Sequence, residues 1–171
     1  MRNTSFSIQI CGVYHRYCAV NERTLVLGEP SVVQIEMHGA VRNAIDAMMA
    51  RARPGVTLGE LYSESVRALE AAGFGEQTRY SACGYSLGAT YRPTWMDTTD
   101  MQSTMIYDGN PIVLQPGMTF LFNLMLTSKM DSTAGGGDSV GVGLSDTVLI
   151  TESGCESLSK LPRELLVVPV A

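Results

Sequence analysis

Two helices with defined starts and stops occupy the middle of the chain, and any fold of this sequence must accommodate them as a pair. Val32, Val33, Ile35, Ala40, Val41, Ala44, Ile45, Met48 and Met49 recur on a helical stripe up to Arg53, where Pro54-Gly55 ends it. Thr57-Leu58-Gly59-Glu60 then has the form of a capping box, in which the Thr oxygen and the Glu carboxylate satisfy opposite orphan amides. Leu61, Val66 and Leu69 carry the second stripe to about Ala72, and Gly73 supplies a left-handed stop.

Strand patterns flank this pair on both sides. Residues 6 to 28 alternate and are rich in β-branched and aromatic side chains, which predicts two or three strands before the punctuation Gly28-Glu29-Pro30-Ser31. Beyond the helices come the turn Gly109-Asn110-Pro111, the apolar run Ile112-Val113-Leu114 with Gln115-Pro116-Gly117, and a strand from Met118 to Thr127. Lys129 to Gly137 reads as a hairpin connection or mobile loop. Strands are expected at Val140 to Leu144 and Thr147 to Thr151, then a turn at Glu152-Ser153-Gly154 and a closing strand at Leu165 to Val170. Strands, two helices and strands in that order predict an α+β fold, an antiparallel sheet with helices on one face. At 171 residues and 45% hydrophobic content, residues 1–171 form one domain.

Composition narrows the function. A formal net charge of −5 with scattered basic residues excludes a nucleic-acid surface and an anionic-membrane surface. No apolar run approaches the roughly 18 residues of a membrane span, and the N-terminal segment lacks a secretory pattern. Cys11, Cys18, Cys83 and Cys155 contain no C-x-x-C pair, so the expectation is reduced thiols in a cytoplasmic protein.

The stretch Ser81 to Asp97 concentrates turn residues, aromatics and the only tryptophan, Trp95, and suggests backbone held close to a pocket. Gly84-Tyr85-Ser86-Leu87-Gly88 has the letters of a nucleophile elbow, but Arg92 and Pro93 follow instead of a helix and no histidine lies after His38. His15 and His38 have no H-x-x-x-H or C-x-x-C partner, so no metal motif stands out, and His38 reads as a helix residue rather than a ligand. Most of Asp97, Asp100, Asp108, Asp131 and Asp138 fall in segments read as solvated loops.

Taken together, several segments resemble the pita-bread fold of the M24 family, shared by Xaa-Pro dipeptidases, methionine aminopeptidases and creatinase. They are Tyr17 to Thr24 with Gly28, Ala52-Arg53-Pro54-Gly55-Val56, Gly84 to Gly88, Gln115 to Phe120, and Asp146 to Thr151. The match runs in order over nearly the whole chain. The resemblance implies the C-terminal part of a creatinase/prolidase-like catalytic domain, with the first helical repeat missing. A sheet without those helices is expected to expose apolar surface, and so either to associate with a second chain, as a homodimer, or to be poorly soluble.

The positions matching the family's five metal ligands are Gln9, Val20, Tyr85, Asn123 and Ser145, and its second active-site histidine is matched by Arg92. No carboxylate or imidazole remains among them, which predicts no metal and no cofactor. Glu22-Arg23-Thr24 is similar to the Glu-Arg-Thr of creatinase, and Pro93-Thr94-Trp95-Met96-Asp97 to the ectoine-hydrolase-like group. The branch implies hydrolysis of an amide or amidine C–N bond in a small polar metabolite. Glu22 would be catalytic, and Tyr85, Arg92, Trp95, Asp97 and Asn123 would bind substrate, with the Arg92 fork on a carboxylate. The structural alternatives are that Glu22 pairs Arg23 or Arg16 and that Trp95 is core. The functional alternatives are an inactive remnant acting as a binding or dimerisation module, and a metal-dependent Xaa-Pro peptidase.

Overall fold

The computed structural model describes residues 4–75, 82–89, 105–129 and 139–170. Among them run strands β1 (Thr4–Tyr14) and β2 (Tyr17–Leu27), helices α1 (Val32–Arg51) and α2 (Leu58–Ala71), and strands β3 (Gly84–Leu87), β4 (Thr119–Lys129), β5 (Ser139–Ile150), β6 (Cys155–Ser157) and β7 (Leu166–Val168). The fold is α+β, as expected, with one sheet in the order β1-β2-β5-β4-β3 and the short β6 and β7 attached to β5 and β2.

The helices begin where their caps dictate. Ser31 and Gln34 form one reciprocal capping box and Thr57 and Glu60 the other. The second was legible in the sequence; the first was not singled out. Gly73 takes φ +85° just past α2, the left-handed stop expected there. The buried side of α1 is offset from the expected stripe, consisting of Gln34, Met37, His38, Ala40, Val41, Ala44, Ile45 and Met48. Val32, Val33 and Ile35 in its first turn face outward, 69%, 41% and 54% exposed.

The helices cover one face of the sheet. Phe120, Phe122, Leu124 and Leu126 of β4 and Val142, Leu144, Val148 and Ile150 of β5 pack in one core with Met37, Val41, Ile45, Met48, Leu61 and Leu69. Each such side chain contributes about 1.5–3 kcal/mol by leaving water.

One strand expectation narrows and two change. Residues 6 to 28 form two strands, joined by a two-residue turn with His15 at φ +47° and Arg16 at φ +72°. These are the angles of a hairpin turn that normally selects Asn and Gly, so its sequence signal is weak. Residues expected as two strands are continuous in β5, because the polar pair Ser145-Asp146 is fully buried rather than turned out to solvent. The sheet is also not wholly antiparallel: β7, inside the expected Leu165 to Val170, runs parallel to β2 at Leu25–Leu27. The Lys129 to Gly137 connection lies, beyond Lys129, outside the described residues.

The two long hairpins, β1–β2 and β4–β5, meet through one registered residue pair, Glu22 opposite Ser145. Threonine hydroxyls take over on either side of it. Thr147 Oγ1 accepts from Val20 N at 2.8 Å and donates to Val20 O at 2.9 Å. Thr24 Oγ1 accepts from Gly143 N and donates to Gly143 O, both at 2.8 Å. Each threonine thereby satisfies an amide and a carbonyl that the ladder leaves unpaired.

The guanidinium of Arg23, 5% exposed, closes the same junction. It donates to Asp146 Oδ1 at 2.7 Å, to the carbonyls of Glu22 and Ser145 at 2.7 Å each, and to Pro162 O at 2.7 Å. Glu22 therefore does not pair with Arg23. Among the described residues, no helix is long and apolar enough to cross a membrane.

Replacing Thr147 by Val keeps its volume and strands the Val20 amide and carbonyl. Urea denaturation is expected to show a loss of about 1–3 kcal/mol, and the same for Thr24→Val. A loss under about 0.5 kcal/mol would show that the hydroxyls do not hold the hairpins together.

Candidate functional site

Side chains directly opposite one another across strands share a face, and the registers place four polar ones in a row. Gln9 lies opposite Glu22, Glu22 opposite Ser145, and Ser145 opposite Asn123. This row crosses β1, β2, β5 and β4 on the face turned away from the helices. The adjacent row on that face is Cys11, Val20, Thr147, Leu121 and Tyr85. All five positions that match the family's ligands thus converge on one surface.

Glu22 is the carboxylate of the row, 4% exposed. Gln9 Nε2 donates to its Oε2 at 3.5 Å, and the Ser7 hydroxyl also bonds it. Space for the carboxylate comes from Gly143, where a Cβ would lie 2.9 Å from Glu22 Cδ and 3.1 Å from Ser7 Oγ. Glycine inside a strand pattern signals this kind of close approach, the one sequence sign that could have pointed to Gly143. Burial pushes the Glu22 carboxyl above its ordinary pKa, and the Ser7 hydrogen bond only partly opposes this.

Ser145 is fully buried, and its Oγ has no hydrogen-bond partner among the described residues. Asn123 is half-buried beside it. Tyr85, 4% exposed, packs with Val20, Leu87, Leu121 and Met105 to form an apolar wall on the same face. Its strand lies close against β4 because Gly84, at φ +154°, has no Cβ to strike the Leu121 carbonyl. Arg92, Trp95 and Asp97 lie outside the described residues.

Other candidates stay apart from the row. His38 is on the helix side, 5% exposed, and burial followed by the charge of Arg42 lowers its pKa, so it is a neutral core histidine. His15 sits at the hairpin tip against the Tyr14 ring. A cleft of about 420 Å³ near the end of β3, lined by residues such as Tyr17, Leu58, Leu87, Ile112 and Phe120, does not include Glu22, Ser145 or Asn123. The contributions of Ser7, Thr24 and Thr147 went unread in the sequence, since they depend on cross-strand register.

Residues 2–152 match the model of metallopeptidase family M24. The chain belongs to this family. It is 31% identical to an ectoine hydrolase of Halomonas elongata over 93% of its own length and 36% of that protein. An Xaa-Pro dipeptidase of Pyrococcus furiosus is 30% identical over 93% of this chain and 40% of the dipeptidase. The crystal structure of dipeptidase PepE from Mycobacterium ulcerans superposes with a TM-score of 0.79 at 26% identity, covering 97% of this chain and 40% of that one. These likenesses bear out the pita-bread expectation, and the chain spans about two fifths of the length of such relatives.

The family name implies metal ions, and the residues here do not fit them. The matching positions present two amides, an alkyl group, a phenol and a hydroxyl, where divalent ions need carboxylates or imidazoles. Among the described residues no three His, Cys, Asp or Glu side chains converge. Glu22 alone cannot neutralise two divalent cations.

A pKa raised in the folded state means that the protonated form is favoured by folding. Its stabilising effect is complete below the unfolded pKa of about 4.3 and is lost as pH rises through the folded value. Glu22→Gln is therefore expected to be more stable than the parent at pH 7, with the gap closing towards pH 4; equal midpoints of urea unfolding at both pH values would contradict it. Gly143→Ala presses a methyl group into the Glu22 carboxylate and is expected to cost about 1–3 kcal/mol. Combined with Glu22→Ala, that cost should largely vanish. Strict additivity in the double-mutant cycle would show that the two do not touch.

Proposed function

We propose that the chain belongs to a cytoplasmic hydrolase that cleaves an amide or amidine C–N bond of a small polar metabolite without a resident metal ion. The observation that carries this reading is the row Gln9, Glu22, Ser145 and Asn123, with one desolvated carboxylate among neutral hydrogen-bonding groups. A carboxylate whose pKa is raised by burial is a stronger base than a solvated one, which suits it to take a proton in a reaction. Glu22 holds the substrate nitrogen or takes a proton from the attacking water, whose oxygen goes to carbon while the leaving nitrogen gains a proton. Asn123 and the unpartnered Ser145 hydroxyl orient the polar groups around the scissile bond, and Tyr85 forms a wall. The family resemblance assigns substrate contacts to Arg92, Trp95 and Asp97 as well, with Arg92 on a substrate carboxylate. Ectoine hydrolase and Xaa-Pro dipeptidase among the relatives support a hydrolytic chemistry. The donor set speaks against the metal-dependent form of that chemistry.

A second reading, a non-catalytic binding or homodimerisation module, is favoured by the exposed apolar side chains of edge strand β1. Phe6, Ile8 and Ile10 are 40%, 43% and 62% exposed.

Purified protein offered an ectoine-type cyclic amidine, creatine and an Xaa-Pro dipeptide is expected to hydrolyse one of them, with Glu22→Gln slower by about 100-fold or more. Elemental analysis is expected to find no stoichiometric divalent metal. If no substrate is turned over faster than by Glu22→Gln, the hydrolase reading fails for this chain and the binding-module reading takes its place.

A further inference from the structure

Cys11 and Cys18 face one another across the β1–β2 hairpin. Cys11 is registered with Val20 and Cys18 with Val13, so the two are diagonal neighbours on the face that also carries Gln9 and Glu22. Diagonal pairs lie within reach of one another, and the right-handed twist of a two-stranded ribbon rotates facing side chains together. Burial first, and then the neighbouring Cys18 thiol, raise the pKa of Cys11, whose thiol donates weakly to Gly12 O at 4.0 Å. Cys11 is exposed, Cys18 half-buried, and neither is in a disulfide. The Cys18 amide donates to Gly88 O at 2.9 Å, which fixes this end of β2 beside the end of β3.

The remaining cysteines differ. Burial pushes the Cys83 thiol up to about 12, which leaves it inert. Cys155 lies against the Met49 carbonyl of the helix face, with a sulfur–oxygen distance of 3.3 Å. No third His, Cys, Asp or Glu joins Cys11 and Cys18 among the described residues. Two cysteine sulfurs are soft donors: calcium and magnesium seek oxygen, whereas a thiolate pair suits a soft cation of low coordination, of the Cu(I) class.

We propose that Cys11 and Cys18 form a thiophilic clamp that binds one Cu(I)-like cation per chain at the lip of the face carrying Glu22. On binding, two sulfur–metal bonds form, two S–H bonds break and two protons pass to solvent, with no change of oxidation state. Proton release makes the affinity increase with pH. The bridge would tie β1 to β2 one alternation away from Gln9, and so stiffen the strand that supports the Glu22 carboxylate.

Anaerobic competition of the full chain against a chromophoric Cu(I) chelator tests the clamp. The parent and Cys155→Ser are each expected to withdraw one Cu(I) per chain. Removing a ligand costs more than removing the partner that orients one, so Cys11→Ser and Cys18→Ser should each weaken binding by about 100-fold or more. Circular dichroism checks that these surface variants fold. Phenylarsine oxide gives an independent readout: two As–S bonds form, the oxygen leaves as water with the two thiol protons, and intact mass should show one adduct that requires both cysteines and is blocked by Cu(I). Retention of Cu(I) by Cys11→Ser, failure of the parent to compete, or arsenical addition independent of either cysteine would overturn the proposal.

Discussion

Two tripeptides at the centre of the sheet, Glu22-Arg23-Thr24 on β2 and Ser145-Asp146-Thr147 on β5, hold the rest of the molecule in place. The strands share one registered pair, too little ladder to align two hairpins of this length. Side chains supply the remaining constraint. Each threonine closes a two-way bond on the opposite backbone, and Arg23 joins Asp146, which also receives Arg163 Nε at 2.5 Å. A buried ion pair is weak support by itself, because desolvation offsets much of its attraction. Here the guanidinium also satisfies several backbone carbonyls, and Arg163 reaches on to Asp46 of α1 at 2.6 Å, so the charges tie strand to strand and sheet to helix.

This junction sets the chemistry available on the other face. Because Glu22 is fixed opposite Ser145, it is also fixed between Gln9 and Asn123, and only the missing side chain of Gly143 leaves it room. The carboxylate is desolvated by packing rather than by a neighbouring anion, so its pKa rises without a second acid to share the proton. That environment differs in kind from a dinuclear metal site, in which several carboxylates stay ionised because cations neutralise them. A sheet with the family's fold and neutral groups at the ligand positions keeps the arrangement of the strands while changing what that face can stabilise.

The helices were legible in the sequence because their signals are local: Thr57 and Glu60 three residues apart, Pro54-Gly55, and Gly73. The sheet was less so. His15-Arg16 makes a tight turn without the residues that usually announce one, and Ser145-Asp146 has the polarity of a loop while lying at the centre of a strand. Glu22 was singled out through family resemblance, but its neighbours Ser7 and Gly143 were not: Gly143 comes from a strand more than a hundred positions away, and Ser7 reaches Glu22 only through the register of the hairpin. The apolar residues at the start of α1 misled for a related reason. Periodicity shows that a helix has an apolar stripe, but which turn meets the sheet is decided by where the helix is docked.

The alternation of the two tripeptides explains why stability and chemistry are inseparable in this sheet. Glu22, Thr24, Ser145 and Thr147 point to the site face, while Arg23 and Asp146 point to the helices. A strand slip of one residue exchanges the faces completely. It would place Arg23 on the site and bury Glu22 against the apolar core, leaving Asp146 without its partner and both threonines away from the backbone groups they satisfy. The register that keeps the buried charges paired is therefore the register that sets Glu22 in the polar row between Gln9 and Ser145, and a sequence preserving one preserves the other.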